Sequence, residues 1–176
     1  IVGLRDGISV VDVTDPVNPI EIFFINDIYS TWRDIKTWDN YAYVTTESDT
    51  GLLIIDLNDM TGNTYYHRTV FNNPNGQNVE FTAAHNLYID ENGIAYIFGA
   101  SSNTGSWPSY GAIFLDLNVD PINPIYLGEW DDHYVHDGMV RGDTLYAAST
   151  TVDNMFVIEI SDKTNPIVLG QVATPS

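Results

Sequence analysis

Gly7-Ile8-Ser9-Val10-Val11-Asp12-Val13-Thr14-Asp15-Pro16-Val17-Asn18-Pro19 is the stretch that decides the fold, because its grammar returns three more times. Gly51 to Asp56, Gly111 to Asp116 and Asn154 to Glu159 repeat the same unit: a small turn residue, a four-residue apolar run and a carboxylate. Polar punctuation follows each run, as Asp15-Pro16-Val17-Asn18-Pro19, a degenerate Asp59-Met60-Thr61-Gly62-Asn63, Asp120-Pro121-Ile122-Asn123-Pro124 and Asp162-Lys163-Thr164-Asn165-Pro166. Proline fixes φ and removes a donor, so these segments are turns that end one strand and aim the next. The carboxylates Asp12, Asp56, Asp116 and Glu159 sit where a strand meets its turn, which predicts capping of the turn rather than an array of acids.

Working outward, Arg33 to Thr37 and Tyr41 to Thr45 read as strands around the turn Trp38-Asp39-Asn40. His85 to Ile89 with Ile94 to Phe98, and His136 to Val140 with Thr144 to Ala148, repeat that plan. Arg33, His85 and His136 lie 52 and 51 residues apart, each 10 or 11 residues before Tyr43, Tyr96 or Tyr146. A fourth strand follows each polar turn, clearly at Ile125 to Trp130 and Ile167 to Val172, and weakly marked at Tyr65 to Phe71, after which Asn72 to Gly76 reads as a loop. Helical periodicity is absent. Four short strands per unit at a period near 50 predict an all-β chain, a β-propeller of four-stranded antiparallel blades. The repeats divide a single domain, 1–176, at about 1–27, 28–76, 77–130 and 131–176, with roughly three and a half blades present. The first residue is Ile and opens inside a repeat, so a fragment of a larger ring is expected, with the remaining blades elsewhere in the full-length chain.

Asp and Glu number 24 against 6 Lys and Arg, a formal net charge of -18. That field repels nucleic acid and anionic membrane, and favours cations, basic partners or simply solubility. No cysteine is present, which excludes a disulfide framework, a thiolate metal site and a thiol nucleophile. No apolar run approaches the roughly 18 residues of a membrane span.

Leu52-Leu53-Ile54-Ile55-Asp56 and its sister copies, each followed by an Asp-Pro-x-Asn-Pro or Asp-x-x-Asn-Pro turn, resemble the LVIVD-repeat propellers of bacteria. The strand openings Trp32-Arg33-Asp34, His85-Asn86 and His136-Asp137 are similar to the subset called choice-of-anchor B proteins. The resemblance implies an exported propeller, extracellular or attached to the bacterial cell surface, and brings no settled biochemical activity.

First strands line a propeller channel, so the three openings are the best functional candidates. Side chains alternate along a strand, which offers two rings. Arg33, His85 and His136 would hold a transition metal through the imidazoles, or an anion through the guanidinium. Asp34, Asn86 and Asp137 are oxygen donors suited to calcium. A third arrangement needs no ligand: the polar pairs are struts along the blades' inner edge. Metal ligands are thus expected at His85, His136, Asp34 and Asp137, with a divalent ion as cofactor, and binding at Arg33, Asn86 and Trp32. Trp32, Trp107, Trp130 and Tyr110 offer a sugar-stacking surface, with inter-blade packing the competing role for Trp38 and Trp130. His133 and His136 would point to opposite faces. No nucleophile elbow or phosphate loop is present, and no catalytic residue is assigned. The preferred expectation is a non-enzymatic module that binds a protein or glycan at the cell surface. The alternative is a metal-dependent hydrolase in the channel.

Overall fold

Four-residue apolar runs demand burial on both faces, and the architecture supplies it by stacking sheet on sheet. The computed structural model describes residues 1–102 and 111–174. Every regular element among them is a strand. The first blade contains β1 (Val2–Leu4), β2 (Gly7–Asp12) and β3 (Ile20–Asn26). The second contains β4 (Arg33–Trp38), β5 (Tyr41–Thr46), β6 (Leu52–Asp56) and β7 (Tyr65–Arg68). A hairpin of β8 (Val70–Asn72) and β9 (Asn78–Glu80) follows. The third blade runs β10 (Asn86–Ile89), β11 (Ile94–Phe98), β12 (Ala112–Asp116) and β13 (Ile125–Trp130). The fourth runs β14 (Asp137–Arg141), β15 (Thr144–Ser149), β16 (Asn154–Glu159) and β17 (Ile167–Ala173). Each sheet is an antiparallel meander in chain order, and β4, β10 and β14 lie side by side as innermost strands. These are the blades of a partial β-propeller.

The opening partial blade has three strands, equivalent to the second, third and fourth of the other sheets. One expectation needs adjusting. The strand expected over Tyr65 to Phe71 stops at Arg68, and Phe71 belongs to the extra hairpin, closed by a turn in which Asn73 Oδ1 accepts from the Asn75 and Gln77 amides. Phe71 stacks on Phe81 with centroids 5.0 Å apart, so the hairpin seals the seam between the second and third blades.

Alternation along β6 explains the repeated run. Leu53 and Ile55 pack with Ile8, Val10, Phe23 and Ile25 of the first blade, whereas Leu52 and Ile54 pack with Leu87, Ile97, Ile113 and Leu115 of the third. In the same way Phe114 and Tyr96 join Trp130, Leu145, Phe156 and Ile158 between the third and fourth blades. Gly51 opens β6 at φ +72°, and a Cβ there would lie 2.2 Å from the Arg68 carbonyl oxygen, which is why a small residue starts the run.

The polar turns are built as expected. Asp12 and Asp56 accept from the amides two residues on at 2.8 Å, as do Asp116 at 2.8 Å and Glu159 at 3.0 Å. Within the turns, Asn18 and Asn123 donate side-chain bonds back to Asp15 and Asp120, at 2.8 and 3.0 Å. The register between third and fourth strands then slips by one residue, leaving Ile22, Leu127 and Leu169 as β-bulges. Each lies three residues after the turn's Pro19, Pro124 or Pro166. The second blade has no proline in its turn, and the β6–β7 register runs without a slip.

Two predictions follow from packing and turn chemistry. Ile54 is fully buried between two blades, so Ile54→Ala should cost about 2–5 kcal/mol in urea unfolding, whereas Ile167→Ala, at a position 52 % exposed, should be nearly neutral. Asp59 accepts from Thr61 and Thr64, which lowers its carboxyl to about 2. A depressed folded-state value stabilises fully above the unfolded value of about 4 and loses that stabilisation as the pH falls towards about 2. The melting-temperature gap between the natural chain and Asp59→Ala should therefore be constant at neutral pH and close between pH 4 and 2.

Candidate functional site

Meander topology places the second-to-third loops and the connections between blades at one end of the propeller, and the Asp-rich turns at the other. The connections entering β4, β10 and β14 carry Trp32, His85 and His136, and the structure brings these three together. Trp32 stacks on His85 with centroids 4.5 Å apart and planes 11° from parallel. The His85 and His136 rings lie 4.0 Å apart at 46°, and Tyr134 meets His136 edge-on at 6.2 Å.

Two of these rings, Trp32 and His85, are anchored by hydrogen bonds. The Trp32 indole N–H donates to the His85 carbonyl at 2.5 Å, while Ser30 Oγ donates to the Trp32 carbonyl at 2.8 Å and accepts from its amide. His85 Nδ1 is 2.8 Å from Glu47 Oε1, with the histidine side chain 10 % exposed and the glutamate 51 %. A carboxylate there fixes the ring and leaves Nε2 as the free nitrogen. A cavity of about 200 Å³ adjoins the pair, lined by Glu47, Ala83, Ala84, His85, Ser101 and Tyr134.

The other candidates are engaged elsewhere. Arg33 turns away from the imidazoles into a pair with Asp27 at 2.5 Å, both side chains nearly fully buried, and also donates to the carbonyls of Leu4 and Ile28. It ties the first blade to the second. Asp34 accepts from Lys36 Nζ at 2.6 and 2.7 Å and from the Leu87 amide at 3.1 Å, bridging the second and third blades. Asp137 caps the Gly138 amide at 2.8 Å and borders a groove on the outward face of the fourth blade, with Met139, Arg141, Tyr146 and Met155. Asn86 is half-buried at the start of β10, opposite Phe98. Among the described residues, no three His, Asp or Glu side chains gather where they could hold a metal ion.

His133 and His136 do part company, but from an irregular segment rather than a strand: His133 stacks on Phe156 at 4.9 Å. Trp38 and Trp130 pack between blades, and Trp32 stays 42 % exposed. Trp107 and Tyr110 lie outside the described residues. Sequence reasoning missed Glu47, Tyr134, Asp27 and Lys36 as partners. Only Tyr134 had a signal, its place inside His133-Tyr134-Val135-His136. Burial also raises the Glu129 carboxyl, with Asp131 adding to it, and drives Tyr126 up to about 12.

Comparison with known proteins agrees with the fold. No curated protein matches the sequence. A Bacteroides uniformis structure, named a putative 6-phosphogluconolactonase, superposes with a TM-score of 0.67 at 13 % identity, over 97 % of this chain and 49 % of its own. A Bacteroides fragilis structure of the same name gives 0.57 at 10 % identity, over 86 % and 42 %. The chain thus spans about half the length of these solved structures. The family described as LVIVD repeat matches residues 31–62 and 134–174. These two segments cover most of the second blade and nearly all of the fourth, so the chain carries LVIVD repeats on a propeller fold.

Proposed function

We propose that the chain is part of an exported bacterial β-propeller of the choice-of-anchor B kind, acting at the cell surface as a binding or adhesion module. The observation that carries this reading is the division of labour at the channel end. Arg33 and Asp34 are consumed in joining blades, while Trp32 and His85, stacked in a row with His136, line open cavities. A surface of fixed aromatic rings suits recognition more than bond cleavage. The charge of -18 fits a solvated extracellular surface. The remaining blades of the full-length protein would cover the apolar outward faces, which expose Val2 and Phe24 on the first blade and Met139, Met155 and Val172 on the fourth.

A hydrolase is the second reading, favoured by the 4.0 Å approach of His85 and His136. In that case His85, His136, Asp34 and Asp137 would hold a divalent ion, or the Glu47–His85 pair would serve as a base towards a lactone like that named for the Bacteroides proteins. The geometry gives this less support, because Asp34 already serves Lys36 and Leu87.

Metal analysis and lactone hydrolysis assays on the full chain, His85→Ala and His136→Ala separate the two readings. The binding module predicts no turnover and a stability loss of about 1–3 kcal/mol for His85→Ala, which strips a hydrogen bond and a stacked ring. Turnover, or stoichiometric metal, abolished in both variants would establish the hydrolase instead.

A further inference from the structure

A second cavity lies on the other side of Trp32, and its lining is chemically unlike the imidazole row. Its volume is about 300 Å³, and Leu4, Arg5, Ser30, Thr31, Trp32 and Arg33 border it. Trp32 keeps one ring face against His85, and the residue as a whole is 42 % exposed. One hydrogen bond from the indole N–H and the stack on His85 hold the ring, while two bonds with Ser30 fix the Trp32 backbone, so little rotamer freedom has to be surrendered on binding.

Charge in the cavity opposes the charge of the protein. Arg33 is neutralised by buried Asp27, but Arg5 is exposed and its side chain forms no hydrogen bond or ion pair among the described residues. Its carbonyl, accepting from the Ser30 amide at 2.8 Å, fixes the backbone next to the indole. One free guanidinium beside an open aromatic face, in a chain with 6 cations and 24 anions, marks a local preference that overall composition does not explain. At physiological salt the general field is screened beyond about 8 Å, so the nearby guanidinium governs what enters.

We infer that this cavity is a saccharide subsite selective for a sugar bearing a carboxylate, with the C–H face of the ring on Trp32 and the carboxylate on Arg5. Sugar rings present an apolar C–H face edged by hydroxyls, which complements an amphipathic indole; a guanidinium receives a carboxylate in two parallel hydrogen bonds. The Thr31 hydroxyl and exposed backbone at the rim suit the ring hydroxyls. A basic peptide would meet Arg5 with like charge, and an extended acidic one would carry its other charges across the anionic surface. A compact monocarboxylate sugar avoids both penalties. This inference rests on the binding-module reading and names its ligand class.

The test uses the full chain with methyl β-D-glucuronide, methyl β-D-glucoside and a short acidic peptide as probes. Binding is followed through the indole N–H resonance of Trp32, assigned by its loss in Trp32→Phe. Glucuronide should shift that resonance, with the glucoside about tenfold weaker. Arg5→Gln should erase the difference between the two sugars and leave the unfolding midpoint unchanged, since Arg5 is exposed and unpaired. A folded chain whose Trp32 resonance ignores both sugars would overturn the subsite, as would a glucuronide preference that survives Arg5→Gln. Peptide binding in place of sugar would overturn it too, while leaving the binding module intact. Lactone turnover would instead remove the underlying reading.

Discussion

Burial of the third strand from both sides is the constraint on which everything else depends. An isolated four-stranded sheet with Leu52, Leu53, Ile54 and Ile55 in succession would expose one half of that run whichever way it faced. Fully burying such a side chain is worth about 1.5–3 kcal/mol, so no blade is stable alone and each completes its neighbour. Tyr43 and Tyr96 show how polar groups are accommodated at these seams. Tyr43 donates across the seam to the Pro121 carbonyl at 3.1 Å, while Tyr96 donates within its own blade to Asp90 at 3.0 Å. Burial pushes both hydroxyls far above the ordinary tyrosine range.

From that constraint the two ends of the propeller acquire different duties. One end receives the Asp and Asn turns, where side-chain hydrogen bonds from Thr14, Asn18, Asn123 and Thr164, with backbone amides beside them, lower the carboxyls of Asp12, Asp15, Asp120 and Asp162. The other end receives the inter-blade connections, which are irregular and differ from blade to blade. There Arg33 and Asp34 fasten adjacent blades, and the rings of Trp32, His85 and His136 pack in a row. A buried ion pair such as Arg33–Asp27 adds little net stability, but breaking it leaves an uncompensated charge, so it fixes geometry more than it adds energy.

How much of this was legible in the sequence depended on whether the information repeats. The four-stranded antiparallel units, the apolar runs and the turn-capping carboxylates recur at constant spacing, and the periodicity predicted them. Burial of Trp38 and Trp130 between blades also followed from their positions. The partners of the site residues did not follow, because they come from connecting segments whose sequences vary between the repeats. Asp27 and Glu47 sit in loops whose sequences differ from repeat to repeat, so nothing in the pattern announced that one would claim Arg33 and the other would orient His85. The β8–β9 hairpin was missed for the same reason: Asn72 to Gly76 has loop composition, yet its flanks pair with one another.

The bulges at Ile22, Leu127 and Leu169 bear on how such a protein avoids aggregating with its own copies. Each blade ends in an outermost strand whose free hydrogen-bonding groups would template a strand from another molecule. An extra residue in that strand breaks the regular ladder and sharpens its twist, which makes edge-to-edge pairing a poor fit. The Asn-Pro turn thus sets up a guard against fibre formation three residues downstream of its proline. In the second blade, where proline and bulge are both missing, β7 has only four residues and the chain leaves at once for the β8–β9 hairpin, so that edge is kept short rather than crooked.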